Sequence, residues 1–269
     1  MKYKIGDVSR ILGISPDLLR YYEKKGIVHP VKDKDNDYRY YEAWDINFLM
    51  DCIWFKNFGF SIDKVAKIIN KSSTGEISAI FTENEKVLKD NIRRCELLLR
   101  RSEQHREALK RIRPNLWKCR IDHSPEIIRY IHRYNYIYDN SPKLQKLSQR
   151  WLKYMPFVTR CFEIPENSLK GCESEEYQWG FSLDMEYVRE FNVPAEPPVV
   201  HIPSQRSIYS VFSSRGKNAF SPKLLKYIVD YADENGYEIC GGAQGNLLAS
   251  ALDNGVLTGF FEVWVPIKE

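Results

Sequence analysis

The chain has 269 residues, with 40 Lys+Arg against 36 Asp+Glu and a formal net charge of +4. Hydrophobic residues at 43% and charged residues at 28% exclude a chain that is disordered throughout. The longest charge-free stretch, 239–252, is too short to span a bilayer. At roughly 100–200 residues per domain, the length suits two domains. The opening Met1-Lys2-Tyr3-Lys4-Ile5-Gly6-Asp7 lacks the apolar core of a signal peptide, so a cytoplasmic protein is expected. Charge is uneven: residues 1–75 carry net +3, 76–120 net +5 and 121–269 net −4. A basic front and a mildly acidic back suggest that the first half meets a polyanion.

Short helices with clear punctuation come first. Ile5, Val8, Ile11 and Leu12 recur at helical spacing before Gly13. Ser15-Pro16 then reads as an N-cap with proline at the first helical position, opening a helix to about Lys25. Two short helices around a glycine turn predict a helix-turn-helix. The polar stretch 30–41, ending in Tyr38-Arg39-Tyr40-Tyr41, suits a β-hairpin wing. A helix over about 42–58 is expected to turn Trp44, Phe48, Leu49, Ile53 and Trp54 inward, and another starts at Ser61.

Lys71-Ser72-Ser73-Thr74-Gly75 reads as a linker, and Thr82-Glu83-Asn84-Glu85 as a capping box. From there to about Ile112 neither Gly nor Pro occurs. Leu88, Ile92, Cys95, Leu99, Ser102, Arg106 and Leu109 alternate by four and three, the seam of a two-stranded coiled coil that would make a homodimer. Beyond Pro114, strands are expected at 117–121, 127–134, 158–164, 177–185, 207–212, 237–239 and 260–265. Helices opening at Ser141-Pro142 and Ser221-Pro222 fall between them. The predicted class is therefore α+β. It comprises an N-terminal winged helix-turn-helix (1–75), a coiled-coil dimerisation helix (76–113) and a duplicated α+β domain (114–269).

Leu19-Arg20-Tyr21-Tyr22-Glu23, Gly26 and Tyr38-Arg39-Tyr40-Tyr41, with flanking Tyr3-x-Ile5-Gly6-Asp7-Val8 and Phe58-Gly59-Phe60-Ser61-Ile62, resemble the DNA-binding domain of the MerR family. The resemblance covers residues 3–70. Arg20, Tyr21 and Tyr22 provide planar and hydroxyl donors on one turn of a recognition helix, and Tyr38, Arg39 and Tyr41 would contact the DNA backbone from the wing. Asp37 stands where the family often has glycine, in a wing that also carries Asp33 and Asp35. The resemblance implies a homodimer on a near-palindromic promoter operator, which distorts the DNA so that RNA polymerase engages both promoter elements.

Residues 115–269 resemble the gyrase-inhibitor-like effector-binding domain of multidrug-responsive members, through the duplicated layout and Phe260-Phe261-Glu262-Val263-Trp264-Val265-Pro266. Phe260, Glu262 and Trp264 share one strand face. A carboxylate between aromatic residues suits an aromatic or lipophilic cation, and the resemblance gives Glu262 a place in the effector pocket. Tyr130, Trp151, Phe157, Trp179 and Phe181, with Tyr209 and Phe220, are further candidates for its walls. The six cysteines are scattered and the histidines form no motif, so neither metal nor cofactor is expected. The protein reads as a regulator without enzymatic activity. The alternatives are a C-terminal hydrolase using Glu262 or a protein-interaction module.

Overall fold

The computed structural model describes residues 2–33, 38–171 and 175–268, so Asp35, Asp37 and Cys172 lie outside the described residues. Two compact units divide at 93/94.

In the first unit, β1 (Tyr3–Lys4) leads into α1 (Ile5–Leu12) and α2 (Pro16–Lys24), then β2 (Val31–Lys32), β3 (Arg39–Tyr41), α3 (Ala43–Asn57) and α4 (Ile62–Lys71). The three strands form one antiparallel sheet in the order β1-β3-β2. Local chemistry sets the helix starts: Ser15 Oγ accepts from Leu18 N–H at 3.2 Å and Ser61 Oγ from Lys64 N–H at 3.3 Å. Gly13, at φ +67°, closes α1 in the left-handed conformation that glycine adopts without steric cost. Val8, Leu19, Tyr22, Tyr41, Leu49, Cys52 and Val65 build the core.

On α3 the buried stripe is Ile46, Leu49, Cys52 and Phe55, whereas Trp44 and Trp54 are 70% and 53% exposed and Phe48 is also exposed. This corrects the inward assignment of Trp44, Phe48 and Trp54. The helix is apolar around its circumference, so periodicity could not choose the buried face, and packing against β3 and α4 did.

Helix α5 (Thr74–Asn115) begins where a linker was expected. Ser73 and Glu76 cap it: the Glu76 carboxylate accepts from Ser73 N–H at 2.7 Å and from its hydroxyl at 2.9 Å. Thr82 is already inside the helix, donating to the Ser78 carbonyl at 3.1 Å, so it caps nothing. Ile77, Ile80 and Phe81 extend the first unit's core onto α5. The proposed seam residues Leu88, Ile92, Cys95, Leu99 and Leu109 are all exposed on the single chain.

The second unit continues with β4 (Arg120–His123), β5 (Ile127–Tyr134), β6 (Ile137–Tyr138), α6 (Pro142–Leu152), β7 (Thr159–Ile164), α7 (Glu166–Leu169), β8 (Gln178–Asp184) and α8 (Met185–Phe191). It ends with β9 (Val200–Ile202), β10 (Arg206–Arg215), a 3-10 turn (Pro222–Leu225), α9 (Lys226–Glu234), β11 (Ala243–Asp253) and β12 (Val256–Pro266). One sheet runs β4-β10-β12-β11-β7-β8-β5-β6, with β9 beside β5. The duplication is explicit: β5-α6-β7-β8 and β10-α9-β11-β12 repeat strand–helix–strand–strand, and the halves meet where β11 pairs with β7.

Strand expectations change at several points, and the short β6 and β9 were not expected. Residues 237–239 contribute only a bridge between Ile239 and Ile267. Trp117 turns at φ +59° and packs edge-on to Tyr227 at 5.2 Å, which delays β4 until Arg120. β11 was not anticipated, because the glycines just before and within it and its small residues read as loop. Those glycines instead answer close approach. A Cβ on Gly245 would lie 2.1 Å from the Glu262 carbonyl oxygen and 2.5 Å from Phe162 Cζ. Gly245→Ala should therefore destabilise the second unit by about 2–3 kcal/mol in chemical denaturation; unchanged stability would show that the strands can part.

Among the described residues no helix is long and apolar enough to cross a membrane.

Candidate functional site

In the first unit, α2 presents Arg20, Tyr21 and Lys24 to solvent while Leu19 and Tyr22 face the core. Arg20 is held by Asp17 at 2.5 Å, one turn back on the same face. Lys25 pairs with Asp63 at 2.6 Å and lies 5.7 Å from the Tyr21 ring centre. On the wing Tyr38 is exposed, with the Lys4 ammonium 5.7 Å from its ring centre. Arg39 donates through Nε to the Glu23 carboxylate at 2.6 Å, which ties the wing to α2.

Tyr22 and Tyr41 are buried, and this corrects their assignment as DNA contacts. Desolvation pushes the Tyr22 hydroxyl up to about 12, and the Tyr41 hydroxyl is buried without a hydrogen-bond partner among the described residues. An Arg-Tyr-Tyr sequence on a helix must send one of its rings inward, since successive residues are about 100° apart. Lys24, one turn beyond Arg20 on the exposed face, was missed although its i+4 spacing was readable.

In the second unit Glu262 stands on β12 opposite Asn246 of β11. Alternation holds: Phe260 and Trp264 join Tyr209, Ile112 and Leu248 in one cluster, while Phe261, Val263 and Val265 enter the core on the other face. A cavity of about 370 Å³ opens over Glu262, walled by Trp264, Tyr209 and the C-terminal turns of α5, with Arg101, Arg111 and Arg120 around it. Asn246 Nδ2 donates to Glu262 Oε1 at 3.3 Å, and Asn246 Oδ1 accepts from the Ser182 hydroxyl at 3.0 Å.

No ion pair involves Glu262 among the described residues. Burial raises its carboxyl to about 7, opposed by the Asn246 hydrogen bond and by the more distant Arg111. Asp184, in the same cavity, is likewise raised by burial. Arg101 is engaged by Thr159 Oγ1 at 2.9 Å and the Pro156 carbonyl at 3.1 Å, and Arg120 by Asp122 at 2.9 Å. The Arg120 guanidinium also lies 4.1 Å from the Tyr209 ring centre.

The aromatic set expected around Glu262 divides in three. Trp264 lines the cavity with Glu262, and Phe260 packs in the adjoining cluster. Tyr130, Trp151 and Phe157 are core residues between α6, α8 and the sheet, a correction to their assignment as ligand contacts. Trp179 and Phe181 line a different cavity on the opposite sheet face, because Ser182, next to Phe181, is the residue that points toward Asn246. Tyr209 joins the Glu262 cavity, whereas Phe220 packs on Trp179 and Phe261. Among the described residues no group of three or more His, Cys, Asp or Glu could hold a metal ion.

The exposed face of α2, its Ser15 cap and the attached wing coincide with a family match: the model described as MerR HTH family regulatory protein covers residues 3–72. Residues 3–72 form a MerR-family helix-turn-helix domain. The HTH-type transcriptional activator mta of Bacillus subtilis (strain 168) is 26% identical over 98 residues, 36% of this chain and 38% of that protein. The HTH-type transcriptional regulator CueR of Escherichia coli O6:H1 is 29% identical over 112 residues, 42% of this chain and 76% of CueR. The chain thus spans about two fifths of the length of mta. The MerR family and both relatives are transcription regulators, not enzymes. The EcmrR chain of an EcmrR–DNA complex aligns with 99% of this chain and 100% of its own length, at 17% identity and a TM-score of 0.38. A superposition that loose carries no argument.

Proposed function

We propose that the protein is a homodimeric, ligand-responsive transcription regulator that acts with RNA polymerase at promoter DNA. In this reading its MerR-family domain binds a near-palindromic operator, and its second unit senses a small aromatic or lipophilic cation. The observation that carries the sensing role is Glu262: a desolvated carboxyl on a cavity floor, beside Trp264, that forms no ion pair among the described residues. A cation entering there would neutralise the carboxylate and stack on the indole. Arg120 already occupies the Tyr209 face, so Trp264 is the ring left for the ligand.

Bending and untwisting a promoter costs on the order of several kcal/mol. An effector that binds one dimer conformation better shifts how that cost is met, and transcription rises without new DNA contacts. Arg20, Tyr21 and Lys24 would meet the groove and its phosphates, with Tyr38 acting from the wing and Arg39 holding the wing in place.

Thermal shifts with matched cationic, neutral and anionic aromatic compounds test the sensing role. Stabilisation by cations that disappears in Glu262→Gln is expected; equal stabilisation of both proteins by a cation would remove Glu262 from the role. For the DNA face, Arg20→Ala should weaken binding to DNA selected by the wild-type protein from a random pool about tenfold or more. Its melting temperature should not move, since the side chain is exposed. Unchanged affinity would displace α2 as the recognition helix.

A further inference from the structure

The cavity across the sheet from Glu262 is the larger of the two, about 620 Å³, within the range of small-molecule sites. Trp179 and Phe181 of β8 and Phe261 of β12 line it, and Tyr138 of β6 lines it as well. Two guanidinium groups, Arg133 and Arg160, complete the chemistry. Neither forms an ion pair among the described residues. Arg133 lies between two rings, its guanidinium carbon 5.0 Å from the Trp179 centre and 5.5 Å from the Tyr138 centre. Arg133 Nε and Trp179 Nε1 are both buried without hydrogen-bond partners among the described residues.

The carboxylate in the lining does not neutralise this charge. Asp139 is turned to the start of α6, where it accepts from Ser141 N–H at 2.8 Å. His132 adds no charge at neutral pH, because burial lowers its pKa. A part-buried cation with unsatisfied donors is costly unless an anion meets it. The aromatic walls add stacking surface, and the cation seat over Trp179 and Tyr138 is already filled by Arg133 itself. A cationic ligand is therefore excluded by the same residues that invite an anion.

We propose that this cavity is a second ligand site, on the opposite face of the sheet from Glu262, and that it binds a planar aromatic carboxylate. The ring packs against Trp179, Phe181 and Phe261, and the carboxylate accepts hydrogen bonds from Arg133 and Arg160. This inference stands independently of the sensing role given to Glu262, because the two sites differ in sheet face, residues and ligand charge.

Isothermal titration of the full chain with 2-naphthoate, 2-naphthalenemethanol and 2-naphthylmethylammonium tests it. 2-Naphthoate is expected to bind and the other two to bind at least tenfold more weakly at this site. Arg133→Gln and Arg160→Gln should each weaken 2-naphthoate tenfold or more, and Glu262→Gln should leave it unchanged. Arg160 is exposed, so its variant keeps the fold and the test survives a misfolded Arg133→Gln. Three results would overturn the proposal: no 2-naphthoate binding up to millimolar concentration, equal affinity in both arginine variants, or loss of binding in Glu262→Gln.

Discussion

Glu262→Gln should leave stability unchanged at pH 4 and raise it progressively up to about pH 7, where the variant exceeds the wild type by about 3 kcal/mol. The carboxyl has an ordinary value near 4.5 in the unfolded chain and is raised to about 7 in the fold, chiefly by burial. Between these values the unfolded chain has released the proton and the folded chain still holds it. The unfolded state therefore binds fewer protons, and stability falls as pH rises through this window. Above the folded value both states are ionised and the loss is constant. Each pKa unit corresponds to about 1.4 kcal/mol, which sets the magnitude.

Glutamine removes the titration while its carbonyl can still accept from Asn246 Nδ2, so no buried donor is orphaned. Urea denaturation of both proteins between pH 4 and pH 8 measures the difference. A gap that does not change with pH would mean that Glu262 is solvated in the fold, and the site would lose the property that recommends it. The instability is consistent with a sensing role, since a ligand cation would remove the same penalty that glutamine removes.

The second large effect is expected at the helix seam. Leu99→Asp should give monomers in sedimentation at concentrations where the wild type is a dimer, and weaken operator binding by about 10²-fold or more. Leu99 is 63% exposed on the single chain and Ile92 59%, so a charge at either position costs the monomer fold little. In a coiled coil the same charge would be buried against apolar partners, which is costly. The DNA loss follows from bivalency: two recognition helices tethered together gain effective concentration that single chains do not have. A persistent dimer in Leu99→Asp would show that this face of α5 is turned to solvent in the assembly.

The pairing of the exposed face of α5 with a second chain stays a proposal, but the four-and-three spacing of apolar residues along it was legible because it is a property of one helix. The same holds for the Ser15 cap with Pro16 and for the alternation that puts Glu262 and Trp264 on one face. Local rules fix these features, and no distant residue can override them cheaply. The start of α5 failed differently. Ser73 and Glu76 form a cap as readable as the expected one at Thr82, but Ser72-Ser73-Thr74-Gly75 looks like a linker until Ile77, Ile80 and Phe81 are seen on the core.

What the sequence alone determined is the class of each segment: a MerR-type front, a long amphipathic helix and a duplicated α+β back with one carboxylate in an apolar strand. Only the tertiary structure decided which residues share a cavity. Tyr22 and Tyr41 went to the core, Trp179 and Phe181 to the far sheet face, and Tyr130, Trp151 and Phe157 under the helices. β11 pairs with β7 and β12, and that pairing leaves Gly245 no room for a Cβ between Phe162 and the β12 backbone. The physical reason is common to all of them. Spacing along the chain says which side chains point together, but the partner of each face is chosen by strands and helices far away in sequence, and only their packing reveals it.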